Sequence, residues 1–290
     1  MGWQIWQQRF QRLFSSGLVR EPFHILTITL LALILPLSFL LLARLSYARY
    51  LLTLDSYVST PQYSSTSSYV FSFSLYSNPA LLYLVVSIIS IATLIHGFTG
   101  KLTLISASST TPTFRPRLYT AWIFLCTLQV CVGLGIECSV AAESVTSGFD
   151  VGRSLFSRVI FFLGLHDTML HWCRVVVKPV VDDTVFGVDR KESLVERVAV
   201  AVSFGSLWCW RLRGEIDSLV VLGVAKRELS IGMEMADFVG WWLYYITVTI
   251  GMIRIVKGLL CIIMILIWRR RARENLDDTN TDEEKGLSST

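Results

Sequence analysis

The stretch VGWWLYYITVTIGMIRIVKGLLCIIMILIWRRR, from Val239 to Arg271, decides how this chain is read. Its apolar part, Ile246 to Ile267, is long enough as a helix to cross a hydrocarbon core of about 30 Å. Trp241, Trp242, Tyr244 and Tyr245 precede it, where amphipathic rings favour a membrane interface. Trp268 and Arg269–Arg271 close it in the manner of a cytoplasmic stop. Two cations, Arg254 and Lys257, fall inside the apolar run. A charge at that depth is costly in lipid, so both must face a partner or water. Such a helix needs a bundle around it, and the rest of the chain offers the segments for one.

Of the 290 residues, 53% are hydrophobic and 17% charged. A soluble domain is about 45–50% apolar and about 25% charged, so the surplus apolar surface belongs in lipid. The formal net charge of +4 arises from cations clustered beside apolar runs, as topology signals are. That distribution argues against nucleic acid as a partner, which needs a basic stripe on a folded surface. The six cysteines, Cys126, Cys131, Cys138, Cys173, Cys209 and Cys261, show no CxxC spacing and read as buried small hydrophobes. Cys173, beside Arg174 at an expected helix end, is a candidate for palmitoylation.

Residues 1–20 are expected to form an amphipathic interfacial helix: Trp3, Trp6, Phe10, Leu13 and Phe14 share one arc, with Gln4, Gln7, Gln8, Gln11 and Arg12 around the rest. Residues 21–268 form a transmembrane domain, with spans at about 25–45, 79–98, 118–138, 155–177, 198–224 and 239–268. Pro36 should kink the first span. Arg9, Arg12 and Arg20 before it, and Lys101, Arg115 and Arg117 in the second loop, mark the cytoplasmic side. The loop from Ser46 to Ser77 has scarcely any charge and reads as exoplasmic; within it, Tyr69 to Tyr76 alternates aromatic residues and serine. The fifth segment is the weakest. Val198 to Trp210 is apolar but short, and Arg211, Arg213, Glu215 and Asp217 interrupt it, so it reads as a span or a re-entrant helix. Residues 269–290 supply a basic collar against anionic lipid, Arg269, Arg270, Arg271 and Arg273, and then an acidic tail expected to be disordered.

The fold class is therefore all-α, a multi-pass transmembrane helical bundle. Both termini are expected in the cytoplasm, so the number of spans is even. Six spans use every apolar run. Four spans turn everything from Ser139 to Asp237 into one exoplasmic segment, with an outline that resembles tetraspanins. The Cys-Cys-Gly motif of that family is absent, and six is preferred. The stretches Val185 to Val202 and Asp237 to Arg254 resemble a plant-type multi-pass transmembrane protein without an assigned activity. The resemblance implies a helical membrane fold and carries over no site residue.

Asp167 and His171 are four residues apart and share a helix face, which Arg174 continues. In a membrane helix such a row is a candidate site. The sharp expectation is a charged intramembrane network in which Asp167 and His171 meet Arg254 or Lys257, with His166 pointing elsewhere. The plainer one is a structural ion pair. His24 and His96 lie apart near other helix ends, so neither a metal nor another cofactor is implied. HExxH, GxSxG and glycine-rich phosphate loops are missing, which argues against an enzyme. The expected role is that of a scaffold, adaptor or accessory subunit in the endomembrane system or plasma membrane. Its expected partners are the bilayer and other membrane proteins or further copies of itself. The alternative is a channel or transporter that uses the charged network.

Overall fold

The computed structural model describes residues 17–58, 79–99, 116–142, 155–182, 193–228 and 234–287. In chain order its helices are α1 (Gly17–Ala32), α2 (Ile34–Val58), α3 (Ala80–Thr99), α4 (Pro116–Ala142), α5 (Leu155–Trp172), α6 (Leu194–Leu207), α7 (Ser218–Glu228) and α8 (Met235–Leu287). A π-helical turn, Cys173–Val177, and the short helix Lys178–Val181 prolong α5. Another π turn, Trp208–Leu212, and Arg213–Glu215 prolong α6. No strand occurs among the described residues. Five stretches are long and apolar enough to cross a membrane: Glu21–Tyr50, Ala80–Thr99, Tyr119–Glu137, Leu155–Val181 and Met235–Arg271. The expected span at 198–224 is not among them, because the chain turns at residues 216 and 217 and the charged residues cluster there.

Local sequence explains the interruptions. Proline has no N–H to give, so Pro36 leaves the Ala32 carbonyl without its helical donor, and α1 and α2 part at Leu33. Ladder bonds on either side, Leu33 to the Thr29 carbonyl at 3.2 Å and Leu37 to the Leu33 carbonyl at 3.0 Å, hold the two pieces as one kinked rod. The widened turn of α5 comes just before Pro179, which cannot donate back to Val175. At the start of α6, Ser193 accepts from the Glu196 N–H at 3.2 Å and satisfies one of the free donors of the first turn.

The paired residues fix the direction of each rod. Against α5, the α1–α2 rod runs antiparallel: Trp172 donates to the Leu31 carbonyl at 3.2 Å, and Phe39 meets Phe161 edge-on at 6.2 Å. The prolonged α6 is also antiparallel to α5, from Lys178–Glu196 at 3.8 Å at one end to Arg158–Asp217 at 2.9 Å at the other. In contrast, α8 is parallel to α5, since Phe161 stacks on Tyr244 at 4.8 Å and Asp167 pairs with Arg254 at 2.8 Å. Tyr83 lies by Gly240, and Lys257 reaches the Gly97 carbonyl, so α3 is parallel to α8. Gly135 packs on Leu41 and Arg44 reaches the Ile136 carbonyl, which sets α4 beside α2 with its start near Lys178–Val181. Six rods among the described residues thus alternate in direction along the chain. The short α7 folds back on the start of α8, where Lys226 bonds Asp237 at 2.6 Å.

Phe39, Phe161, Leu165, Met169, Phe204, Leu243 and Thr247 are buried at the centre. The outer faces are apolar too: Leu81, Leu84 and Ile88 of α3 and Ile123, Phe124 and Val130 of α4 are exposed. An apolar exterior around a well-packed interior is the pattern of a bundle solvated by lipid.

Two boundaries differ from expectation. The low-charge loop begins later, because α2 continues to Val58; Ser46 to Val58 holds no glycine or proline to stop a helix. The tail expected to be disordered is helical to Leu287. No glycine or proline lies between Gly258 and Gly286, and a helix already nucleated upstream extends at little cost. The amphipathic arc of residues 3–14, the run 69–76 and the connector 183–192 lie outside the described residues.

Candidate functional site: a polar cluster beside a glycine crossing

The site is built on the contact between α5 and α8, where two glycines face each other. A Cβ on Gly164 would strike the Thr247 carbonyl oxygen and come to 2.9 Å from the Gly251 nitrogen. A Cβ on Gly251 would strike the Ile160 carbonyl and come to 3.1 Å from the Gly164 nitrogen. The two backbones therefore touch, as small residues allow in membrane helix pairs. Thr168 and Thr247 flank the crossing with their hydroxyls bonded back to the carbonyls of Gly164 and Leu243, at 2.8 and 2.9 Å. Neither threonine brings an unsatisfied polar group to the interface.

One turn along, the same approach sets Asp167 against Arg254. Each stands three residues beyond its helix's crossing glycine, and Arg254 Nη1 donates to Asp167 Oδ1 at 2.8 Å. The same nitrogen lies 3.3 Å from His166 Nδ1. A guanidinium has only protons to give, so this histidine nitrogen accepts and carries none. His166 was expected to point elsewhere; the tight crossing carries Arg254 far enough over α5 to reach both neighbours. His171 meets His96 of α3, ring to ring at 5.3 Å, rather than a cation. Lys257 donates to the Gly97 carbonyl, in the last turn of α3, where a cation suits the negative end of the helix dipole.

Asp167, His171, Arg254 and Lys257 thus surround one pocket of about 260 Å³, which Thr93, His96 and Arg174 also line, with Leu170, Ile250 and Ile253 as apolar wall. His96, which lines the pocket, and His166, which lies outside its lining beside Arg254, were missed. Their only signal in the sequence was position, His96 at the end of an apolar run and His166 next to Asp167. No group of three His, Cys, Asp or Glu side chains placed to hold a metal occurs among the described residues.

On the other side of the glycine crossing lies an aromatic layer. Phe161 stacks on Tyr244 at 4.8 Å and on Trp208 at 6.0 Å, and Phe162 stacks on Phe204 at 5.1 Å and meets Trp208 at a tilt at 5.2 Å. Beyond the layer is a second polar cluster. Arg44 grips Glu215 with two bonds, at 2.5 and 2.7 Å, and adds a bond to the Ile136 carbonyl at 3.3 Å. Arg158 pairs with Asp217, and a cavity of about 270 Å³ opens there beside Tyr47, Tyr50, Trp210 and Ser218.

Two further expected features fall as follows. Cys173 is 5% exposed within the core, which does not suit acylation. Arg269, Arg270, Arg271 and Arg273 are exposed at the far end of the apolar part of α8. No family model, curated protein or solved structure matches this chain.

Proposed function

We propose that the protein is an integral membrane protein of six spans, with both termini in the cytoplasm, that acts without catalysis as a scaffold or accessory subunit. The observation that carries this reading is the closed interior. The glycine crossing and the aromatic layer fill the bundle between its two polar clusters, and ion pairs tie charged side chains in each, Asp167 to Arg254 in one, Glu215 to Arg44 and Asp217 to Arg158 in the other. Such a bundle is a rigid body whose working surface is its outside. The alternation of the six rods supports counting the prolonged α6 as a span: from Glu196 to Asp217 it accompanies α5 from Lys178 to Arg158, about 30 Å at 1.5 Å per residue. The cations Arg20, Lys178 and Arg269–Arg271 then share one face, as the positive-inside rule asks of a cytoplasmic surface. The endomembrane system or plasma membrane is the proposed location, and other membrane proteins or further copies are the proposed partners.

Sidedness tests it. Glycosylation acceptors or single labelled cysteines are placed at residues 183–192 and, separately, at 229–233. The two should report opposite sides, with 183–192 cytoplasmic. If both report one side, α6 does not cross and the six-span reading fails. A second reading, a channel or transporter, is favoured by the meeting of Asp167, His171, Arg254 and Lys257 around one pocket. It predicts an ion flux in liposomes that Lys257→Gln removes; liposomes without flux leave the scaffold.

A further inference from the structure

We infer that α4 is the contact face for a second copy of this chain, with the carboxamides of two Gln129 side chains hydrogen-bonded to each other inside the bilayer. The inference rests on the membrane reading above and singles out one partner for the proposed scaffold. α4 packs on one side only: among its described residues Leu125 and Val132 alone are buried, where it lies against α2. Gln129 stands near the middle of its apolar stretch, Tyr119–Glu137. Its Oε1 is shut away from solvent and accepts no hydrogen bond. Trp122, seven residues earlier, buries its indole Nε1 without a partner in the same way. Lipid tails offer neither donors nor acceptors, so each such atom is costly at that depth.

At about 100° per residue, Trp122, Cys126, Gln129 and Gly133 fall within about 60° of arc. All four are half-buried, and exposed Ile123, Val130 and Leu134 border the strip. Their spacings of four, three and four residues are those of a left-handed helix pair. A Cβ on Gly133 would meet nothing within 4 Å, so a neighbouring helix has room to approach one turn from Gln129. The occupant follows from the amide. A carboxamide carries an acceptor and two donors, so it is satisfied by another carboxamide, each donating to the other's oxygen. The terminal torsion of glutamine is broad and two-fold, so half-buried Gln129 can turn its oxygen outward at little cost. A two-fold axis along the membrane normal brings the second Gln129 to the same depth. A different protein would need a polar side chain of its own at that depth. Glu137, eight residues on, is exposed at the end of the stretch, where water and salt screen it from its twin.

The test uses the full-length protein in liposomes washed with alkaline carbonate. Loss of the protein in that wash would sink the membrane reading itself; the later steps test the dimer alone. Variants that keep a single cysteine are treated with an oxidant. The one keeping Cys126 should form a disulfide-linked dimer, and the one keeping Cys131, on the opposite side of α4, should not. Equal crosslinking through both reports random collision and overturns the proposal, as does none through Cys126. Energy transfer between labelled copies, diluted with lipid, gives the dissociation constant. Gln129→Leu should raise it about tenfold, and Gln129→Asn, which keeps the amide, should raise it less. An unchanged constant in Gln129→Leu, or a wild type that is monomeric at every dilution, overturns the proposal. If Gln129→Leu does not fold, the Cys126 and Cys131 variants decide.

Discussion

Replacing Gly251 by alanine adds one methyl group where two backbones touch. The new Cβ meets the Ile160 carbonyl oxygen well inside contact distance and the Gly164 nitrogen at 3.1 Å. These are main-chain atoms of a helix, so no side-chain rotation relieves the clash and α5 and α8 must move apart. Overpacking of this kind costs about 1–3 kcal/mol. Opposing it, alanine in place of glycine favours the helix by about 1 kcal/mol. Separation also lengthens the Asp167–Arg254 bond one turn away, and thinning that pair of partially buried charges adds roughly another 1 kcal/mol. A net loss of about 2 kcal/mol follows, roughly thirtyfold in the folding equilibrium. Gly164→Ala should behave alike, since its Cβ meets the Thr247 carbonyl. The control lies on α8 itself: a Cβ on Gly258 meets nothing within 4 Å, so Gly258→Ala should be neutral or slightly stabilising. Unfolding of the purified variants in a denaturing detergent, followed by tryptophan fluorescence, measures all three. Equal midpoints for Gly251→Ala and Gly258→Ala would refute the backbone crossing.

The ion pair and the second cluster give further checks. Arg254→Gln leaves Asp167 without its cation, so it should destabilise more than the double variant Arg254→Gln with Asp167→Asn; with both side chains 37% exposed, a double-mutant cycle should return about 1 kcal/mol of coupling. Arg44→Leu strands Glu215 and gives up the bond to Ile136, a loss of about 3 kcal/mol in the same unfolding assay. Arg44→Lys keeps the charge but not the two-pronged grip, and should recover only part of that loss.

The chain's own chemistry determined its class. An apolar fraction of 53% and runs of about 20 apolar residues with arginines at their ends describe helices long and apolar enough to cross a membrane before any contact is known, because helix formation in lipid is a local demand: each segment must satisfy its own backbone bonds. The same local logic located Asp167, His171, Arg254 and Lys257 as costly residues that needed company. It went wrong where a boundary depended on the absence of a stop, at Val58 and Leu287. Only the tertiary structure decided who the company is. A helix can turn about its axis without changing its hydropathy, so sequence leaves open which face meets which neighbour. The contact of Gly164 with Gly251 fixes that rotation, since no other residue type permits so close an approach. From it follow the Asp167–Arg254 pair, the place of His166 beside it, and the meeting of His171 with His96, whose residues lie 75 positions apart in the chain and share a pocket only because α3, α5 and α8 run side by side.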